Sequence, residues 1–301
     1  MPLDPPAWLW IACTIAAAGV QTLRNAMQRS LTERVGTVGA THVRFLFGLP
    51  FGLLFLAGMA QLTDLSRLNL SWTFVAWALM GGVFQILGTG LMLAAMRERS
   101  FVVAIAYVKT EPVQIALFGL VFLGERLGLL ASAAVIVATA GVLLMSMPAA
   151  KTMARDRAAL LGIASGAMFA LSAVGFRGAI LALGDAPFYA RATATLATSL
   201  VMQTVLLSGW LLWRDRRALA EIFRLWRPSL LAGAAGALAS QMWFLAFSLQ
   251  SAAAVRTLGL VEILFAQAVS HRLLAQGTTR REAIGMAMMI GGLVALMLGA
   301  S

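Results

Sequence analysis

Shifted against itself by 151 positions, this chain lays Glu111 on Glu262. The same shift superposes AYVKTEPVQIALFGLVF (106–122) on TLGLVEILFAQAVSHRL (257–273). It also pairs Gly82 with Gly233, Ala95 with Ala246, Ser100 with Ser251 and Gly141 with Gly292. A few residues of slippage bring Arg44 onto Arg191 and Arg24 onto Arg177. Each match alone is weak, but one offset running from end to end is hard to reach by chance. The chain therefore divides into two copies of one unit, 1–150 and 151–301.

Each copy holds an odd number of membrane spans. With 60% hydrophobic and 12% charged residues and a mean hydropathy of +0.87, the composition is that of a membrane protein. A span needs roughly 20 apolar residues. The first copy supplies stretches at 7–27, 38–61, 72–96, 101–123 and 128–147, and the second at 158–183, 187–212, 229–249, 252–274 and 282–299. The expected fold is all-α, with ten transmembrane helices in two sets of five. Five crossings leave the chain on the far face, so the second copy enters upside down, an inverted-topology repeat.

Loop charge tests that inversion independently. Arg24, Arg29 and Arg34 fall in the connection after helix one, whose counterpart at 178–186 has no basic residue. Arg67 stands alone after helix two, against Arg214, Arg216, Arg217, Arg224 and Arg227 in the equivalent loop. Arg97 and Arg99 face an uncharged 248–251, and Arg126 faces Arg272, Arg280 and Arg281. Basic residues switch sides at every equivalent loop. Positive charge marks the cytoplasmic side, and Lys151, Arg155 and Arg157 of the central linker join that side. Both termini are then expected in the periplasm. The net charge of +11 reports orientation in the bilayer, not nucleic-acid binding. Arginine far outnumbers lysine and alanine abounds, which points to a bacterial source and its inner membrane.

Cys13 is the single cysteine, which excludes an internal disulfide or thiolate metal site. MPLDPPAW lacks a basic start, and the repeat needs helix one, so a cleaved signal peptide is not expected. The polar stretch 213–228 reads as a cytoplasmic loop.

TEPVQIALFGLVFLGERL (110–127), with its Glu-Pro and downstream Leu-Gly-Glu-Arg-Leu, resembles the end of the fourth helix in EamA-type transporters of the drug/metabolite transporter superfamily. Arg44 and Arg191 resemble the arginine placed early in that family's second and seventh helices. LVEILFAQAVSHRL (260–273) is similar to its ninth helix only in part, because Gln276-Gly277 stands where Gly-Glu-Arg-Leu is common. The resemblance covers essentially the whole chain and implies an export-type carrier of small organic solutes.

An ionisable group at mid-bilayer is costly unless it faces a cavity or a partner. Glu111 lies about 15 Å into helix four by helix rise, and Glu262 is at a similar depth from the other side. Tyr107, Glu111 and Gln114 share one helix face. Pro112 removes a backbone donor beside Glu111 and bends the helix or frees a carbonyl. The competing reading makes both glutamates packing pins. Helix one carries Thr14, Gln21, Asn25 and Gln28, and helix three carries Gln85 and Thr89. Helix six has Phe169 and Ser172, helix seven Arg191, Thr195 and Thr198, helix eight Ser240, Gln241 and Trp243. Such stripes either glue helices together or line a shared aqueous cavity. For helix seven, packing is the preferred reading.

Lys109, Arg177 and Arg256 outnumber the two acids in the spans. Lys109 sits about 200° around the helix from Glu111, so it either pairs with another acid, Glu262, or holds a substrate carboxylate, the preferred role. Arg44 and Arg191 start their helices and can snorkel to head groups. His42 is expected at the interface. The glycines are read as packing sites.

No His-Glu-x-x-His or Gly-x-Ser-x-Gly motif supports an enzyme, and no cofactor or metal is implied. A non-transporting scaffold would not need charges at the midplane. The reading is a secondary carrier exporting a small polar or amphipathic, amino-acid-like metabolite by alternating access, with organic anions as the alternative cargo. Its partners are that small molecule and the lipid bilayer, and the sequence speaks equally for monomer and homodimer.

Overall fold

A computed structural model describes residues 5–98, 101–146, 153–265 and 280–299. Every extended element among them is helical. In chain order these are α1 (Leu9–Leu46), α2 (Leu49–Leu62), α3 (Trp72–Glu98), α4 (Phe101–Val108), α5 (Glu111–Leu123) and α6 (Leu129–Ser146). They continue with α7 (Met153–Ala182), α8 (Phe188–Arg214), α9 (Arg216–Arg224), α10 (Trp226–Leu249) and α11 (Ala252–Leu258). A helical segment α12 (261–265) follows, and α13 (Arg280–Gly299) closes the order. The far end of helix nine, with Arg272 and Gln276-Gly277, and the linker residue Lys151 lie outside the described residues.

Polarity is turned inside out. Large apolar side chains such as Leu117, Val121, Val205 and Trp210 are exposed, while Thr14, Gln28, Arg24, Glu111 and Gln203 are buried. An apolar exterior around a polar interior suits hydrocarbon as the solvent. Among the described residues five helical stretches are long and apolar enough to cross a membrane, and shorter apolar helices accompany them in the chain.

Among the described residues most expected span ends recur within a few positions, and two expected connections are instead helical. The connection expected between 27 and 38 is helical, because α1 runs on to Leu46 with one break at Gly36. Leu31 and Val35 are buried there, which favours continued helix over a loop. Gly36 adopts φ 69° and ψ 174°, a region open essentially to glycine alone. Arg24, Arg29 and Arg34 therefore stand on a helix, and Arg24 is wholly buried. The loop at 213–228 contains α9, capped where Asp215 accepts from the Ala218 backbone N–H at 3.0 Å.

Two compact units form, and neither is a sequence half. Unit 1 holds Met1–Ile86 and Gly175–Gln250, and unit 2 holds Leu87–Val174 and Ser251–Ser301. Each thus draws on both halves, and the division cuts α3 and α7. In unit 1, α1 packs most extensively on α10, and α2 on α8. Ala17, Ala18, Ala232 and Ala237 are fully buried, small residues of the kind that let membrane helices approach closely. In unit 2, α6 lies along α13. There a Cβ on Gly141 would meet the Gly285 carbonyl at 2.5 Å, and one on Gly292 would meet the Ala138 nitrogen at 2.7 Å. Gly141 and Gly292, which the sequence offset pairs, are thus both used for close packing.

Candidate functional site

Helices four and nine are both interrupted, at matching places. Lys109 and Thr110 separate α4 from α5, and Gly259 and Leu260 separate α11 from α12. At the first break Pro112 occupies the opening turn of α5, where its missing N–H costs nothing. Thr110 Oγ1 donates to the Tyr107 carbonyl at 3.0 Å and accepts from Gln114 Nε2 at 3.1 Å. Gly166 of α7 lets the break approach, since a Cβ there would meet the Val108 carbonyl at 2.9 Å. At the second break the Glu262 N–H donates to the Gly259 carbonyl at 3.1 Å, and Ile263 to Leu260 at 3.0 Å, a tight three-residue turn. The bend expected at Pro112 is a local interruption in which Thr110 keeps right-handed helical angles, φ −73° and ψ −11°, and its counterpart at Gly259 has no proline to announce it.

Each break delivers a glutamate into the interior of unit 2. Glu111 opens α5, where a negative charge suits the helix dipole. Its two oxygens accept from Arg256 Nε at 2.7 Å and Nη2 at 2.8 Å. Glu262 accepts from Lys109 Nζ at 2.5 Å. The Glu111 and Glu262 side chains are each 2% exposed. The two pairs cross, each joining a glutamate of one sequence half to a cation of the other. For Lys109 the structure forms the pairing held open as the alternative to a substrate contact. Arg256, in an apolar run of the sequence, is not among the site residues expected from it. Only its charge in an apolar run could have drawn attention to it.

Around these pairs in unit 2, Tyr107 and Gln114 are half-buried, while Thr89, Ser172 and Phe169 are buried. The Phe169 ring packs on Gly88, where a Cβ would meet it at 3.0 Å. Ser165 Oγ donates to the Gly88 carbonyl at 2.7 Å.

The remaining expected site residues belong to unit 1. Trp243 Nε1 donates to Gln21 Oε1 at 3.0 Å, and Gln241 Nε2 to Thr193 Oγ1 at 2.9 Å. Gln85 Oε1 accepts from Gln203 Nε2 at 2.9 Å. Arg24 Nη2 donates to Asn25 Oδ1 at 2.5 Å. Arg44 is buried and donates to Ser240 Oγ at 3.1 Å, so it does not snorkel. Its helix continues from α1, and burial follows. His42 is fully buried and meets Ser208 Oγ through Nε2 at 2.9 Å, a correction to its expected interfacial place. Arg191 is half-buried, and its carbonyl accepts from Thr195 Oγ1 at 2.8 Å, a bond within its own helix. Among the described residues no cluster of side chains suits a metal ion.

Residues 7–147 match the family model described as the EamA-like transporter family. A solved chain described as "Crystal structure of protein" superposes with a TM-score of 0.68 at 17% identity, covering 98% of this chain and 96% of that one. At that identity the likeness speaks for the fold alone, and it extends through both halves. No curated protein matches the sequence.

Proposed function

Because the chain is an EamA-type member of the drug/metabolite transporter superfamily, and so a membrane transporter, we propose that it is a secondary carrier exporting a small, amino-acid-like metabolite. The observation that carries this reading is the pair of interrupted helices with crossed ion pairs, Glu111 with Arg256 and Lys109 with Glu262. Carriers built from repeats hold cargo beside discontinuous helices near the midplane. Charges exchanged between two sequence halves can be remade with a zwitterion, its ammonium taking a glutamate and its carboxylate a cation. That exchange is the differential contact by which cargo shifts a two-state protein. Tyr107, Gln114, Thr89 and Phe169 supply the polar and aromatic surroundings in unit 2. In this reading the repeat is inverted, transport proceeds by alternating access, and both termini face the periplasm of a bacterial inner membrane.

Counterflow in proteoliposomes tests the proposal. Liposomes loaded with a mixed amino-acid pool should accumulate at least one labelled member against its gradient. Wild-type protein that moves no zwitterion or organic acid in either direction would favour the scaffold reading.

A further inference from the structure

The nine-residue helix α9 is tied by a single residue at each end, Asp215 to α8 and Leu225 to α10. Those two neighbours are each long and apolar enough to cross a membrane, so α9 is held at the level where both of them end. Its inner face is anchored within unit 1. Ile222 is fully buried, and a Cβ on Gly39 of α1 would meet its Cδ1 at 3.7 Å. The Phe223 and Phe47 ring centroids stand 6.1 Å apart. The outer face exposes Arg216, Arg217, Ala220, Phe223 and Arg224, at i, i+1, i+4, i+7 and i+8 along one side of the helix. Exposed tryptophans flank it, with Arg214 over the Trp213 ring at 5.3 Å and Arg227 over the Trp226 ring at 5.4 Å.

Residues 214–227 carry five arginines against two acids, and both acids are engaged. Asp215 caps α9 by accepting from the Ala218 N–H at 3.0 Å, and Glu221 meets Arg224 at 3.5 Å, a surface pair that contributes little. Tryptophan concentrates where hydrocarbon meets head groups. A short amphipathic helix with cations and an aromatic ring on its free face suits the surface of an anionic bilayer. We propose that the outer face of α9 docks on anionic phospholipid head groups of the leaflet it adjoins. Arg216, Arg217 and Arg224 meet the phosphates, while Phe223, Trp213 and Trp226 enter the boundary with the acyl chains. An acidic protein partner would account for the arginines but not for the tethers at the span ends or the flanking tryptophans. The assignment stands apart from the carrier reading, because it needs no cargo.

The test uses full-length protein in a neutral maltoside detergent, with thermal unfolding followed against phosphatidylglycerol, zwitterionic phosphatidylcholine and soluble polyglutamate. Phosphatidylglycerol should raise the midpoint saturably, by roughly 2 °C or more at ten times its half-saturating concentration. The other two should not. Each arginine near an anionic surface is worth about fivefold in affinity. Arg217→Gln combined with Arg224→Gln should therefore raise the half-saturating concentration roughly twentyfold, with the lipid-free midpoint unchanged because both side chains are exposed. Arg67→Gln, an exposed arginine outside α9, should titrate like the wild type. Equal responses to the two lipids in the wild type would overturn the proposal, whatever the variants do. A response to polyglutamate as large as that to phosphatidylglycerol would make α9 a face for acidic protein and overturn the lipid. A double variant that titrates like the wild type, or an Arg67→Gln that is weakened as much, would place the lipid elsewhere. None of these outcomes bears on counterflow, which tests the carrier separately.

Discussion

Glu111 holds Arg256 through both carboxylate oxygens, from a helix start in the first sequence half to a helix in the second. Deleting one partner of such a buried pair strands the other charge, at a cost of about 3–5 kcal/mol. Glu111→Gln should therefore unfold at a clearly lower temperature as well as losing transport. Glu111→Gln combined with Arg256→Gln should regain most of the stability and none of the transport. A double variant as unstable as the sum of the two singles would deny the coupling.

Lys109 and Glu262 make the second crossed pair, and its two possible roles separate cleanly. Lys109→Met and Glu262→Gln should each lower the unfolding midpoint, and the double variant should restore it. If the ammonium also greets a substrate carboxylate during transport, the restored double variant will bind zwitterions at least tenfold more weakly, since 1.4 kcal/mol of lost contact is one such factor. Wild-type affinity in the double variant confines Lys109 to structure.

The spans were legible because lipid demands long apolar runs, and their ends were marked by charge, as at Trp72–Glu98 and Phe188–Arg214. The glycines matched by the offset were legible as packing sites for the same reason that Gly141 and Gly292 now admit a neighbouring backbone. What escaped depends on partners far away in sequence. Nothing near Gly259 announces a break, and nothing near Arg256 announces Glu111. Arg24 misled because an arginine beyond an apolar run looks like a helix end. The buried Leu31 and Val35, and the lone bend at Gly36, carry the helix past it. The division into units was also hidden. Which helices pack together is settled by side-chain fit, not by the order of the repeats.

Gly36 and Gly58 make a matched pair for testing that bend. Neither has an atom within 4 Å of where a Cβ would stand, but only Gly36 has a positive φ, of 69°. Gly36→Ala is expected to destabilise by about 1–3 kcal/mol through backbone strain alone. Gly58→Ala, inside α2, should be neutral or stabilise by up to about 1 kcal/mol. Chemical denaturation of both variants in the same detergent checks the contrast. Equal midpoints would mean that the backbone at Gly36 relaxes into ordinary helix.

The orientation rests on the arginines of α9, and the protein's own cysteine makes it simple to test. Cys13 is 8% exposed and lies within α1, so the wild type should stay dark to a membrane-impermeant maleimide. Arg217 is exposed on α9, and Arg217→Cys provides a single accessible thiol. If basic residues mark the cytoplasmic face, inverted membrane vesicles should label and intact spheroplasts should not. Labelling of spheroplasts alone would place α9 outside and the termini within. The alternation of charge between equivalent loops, and the inversion it implies, would survive that result with the sign reversed.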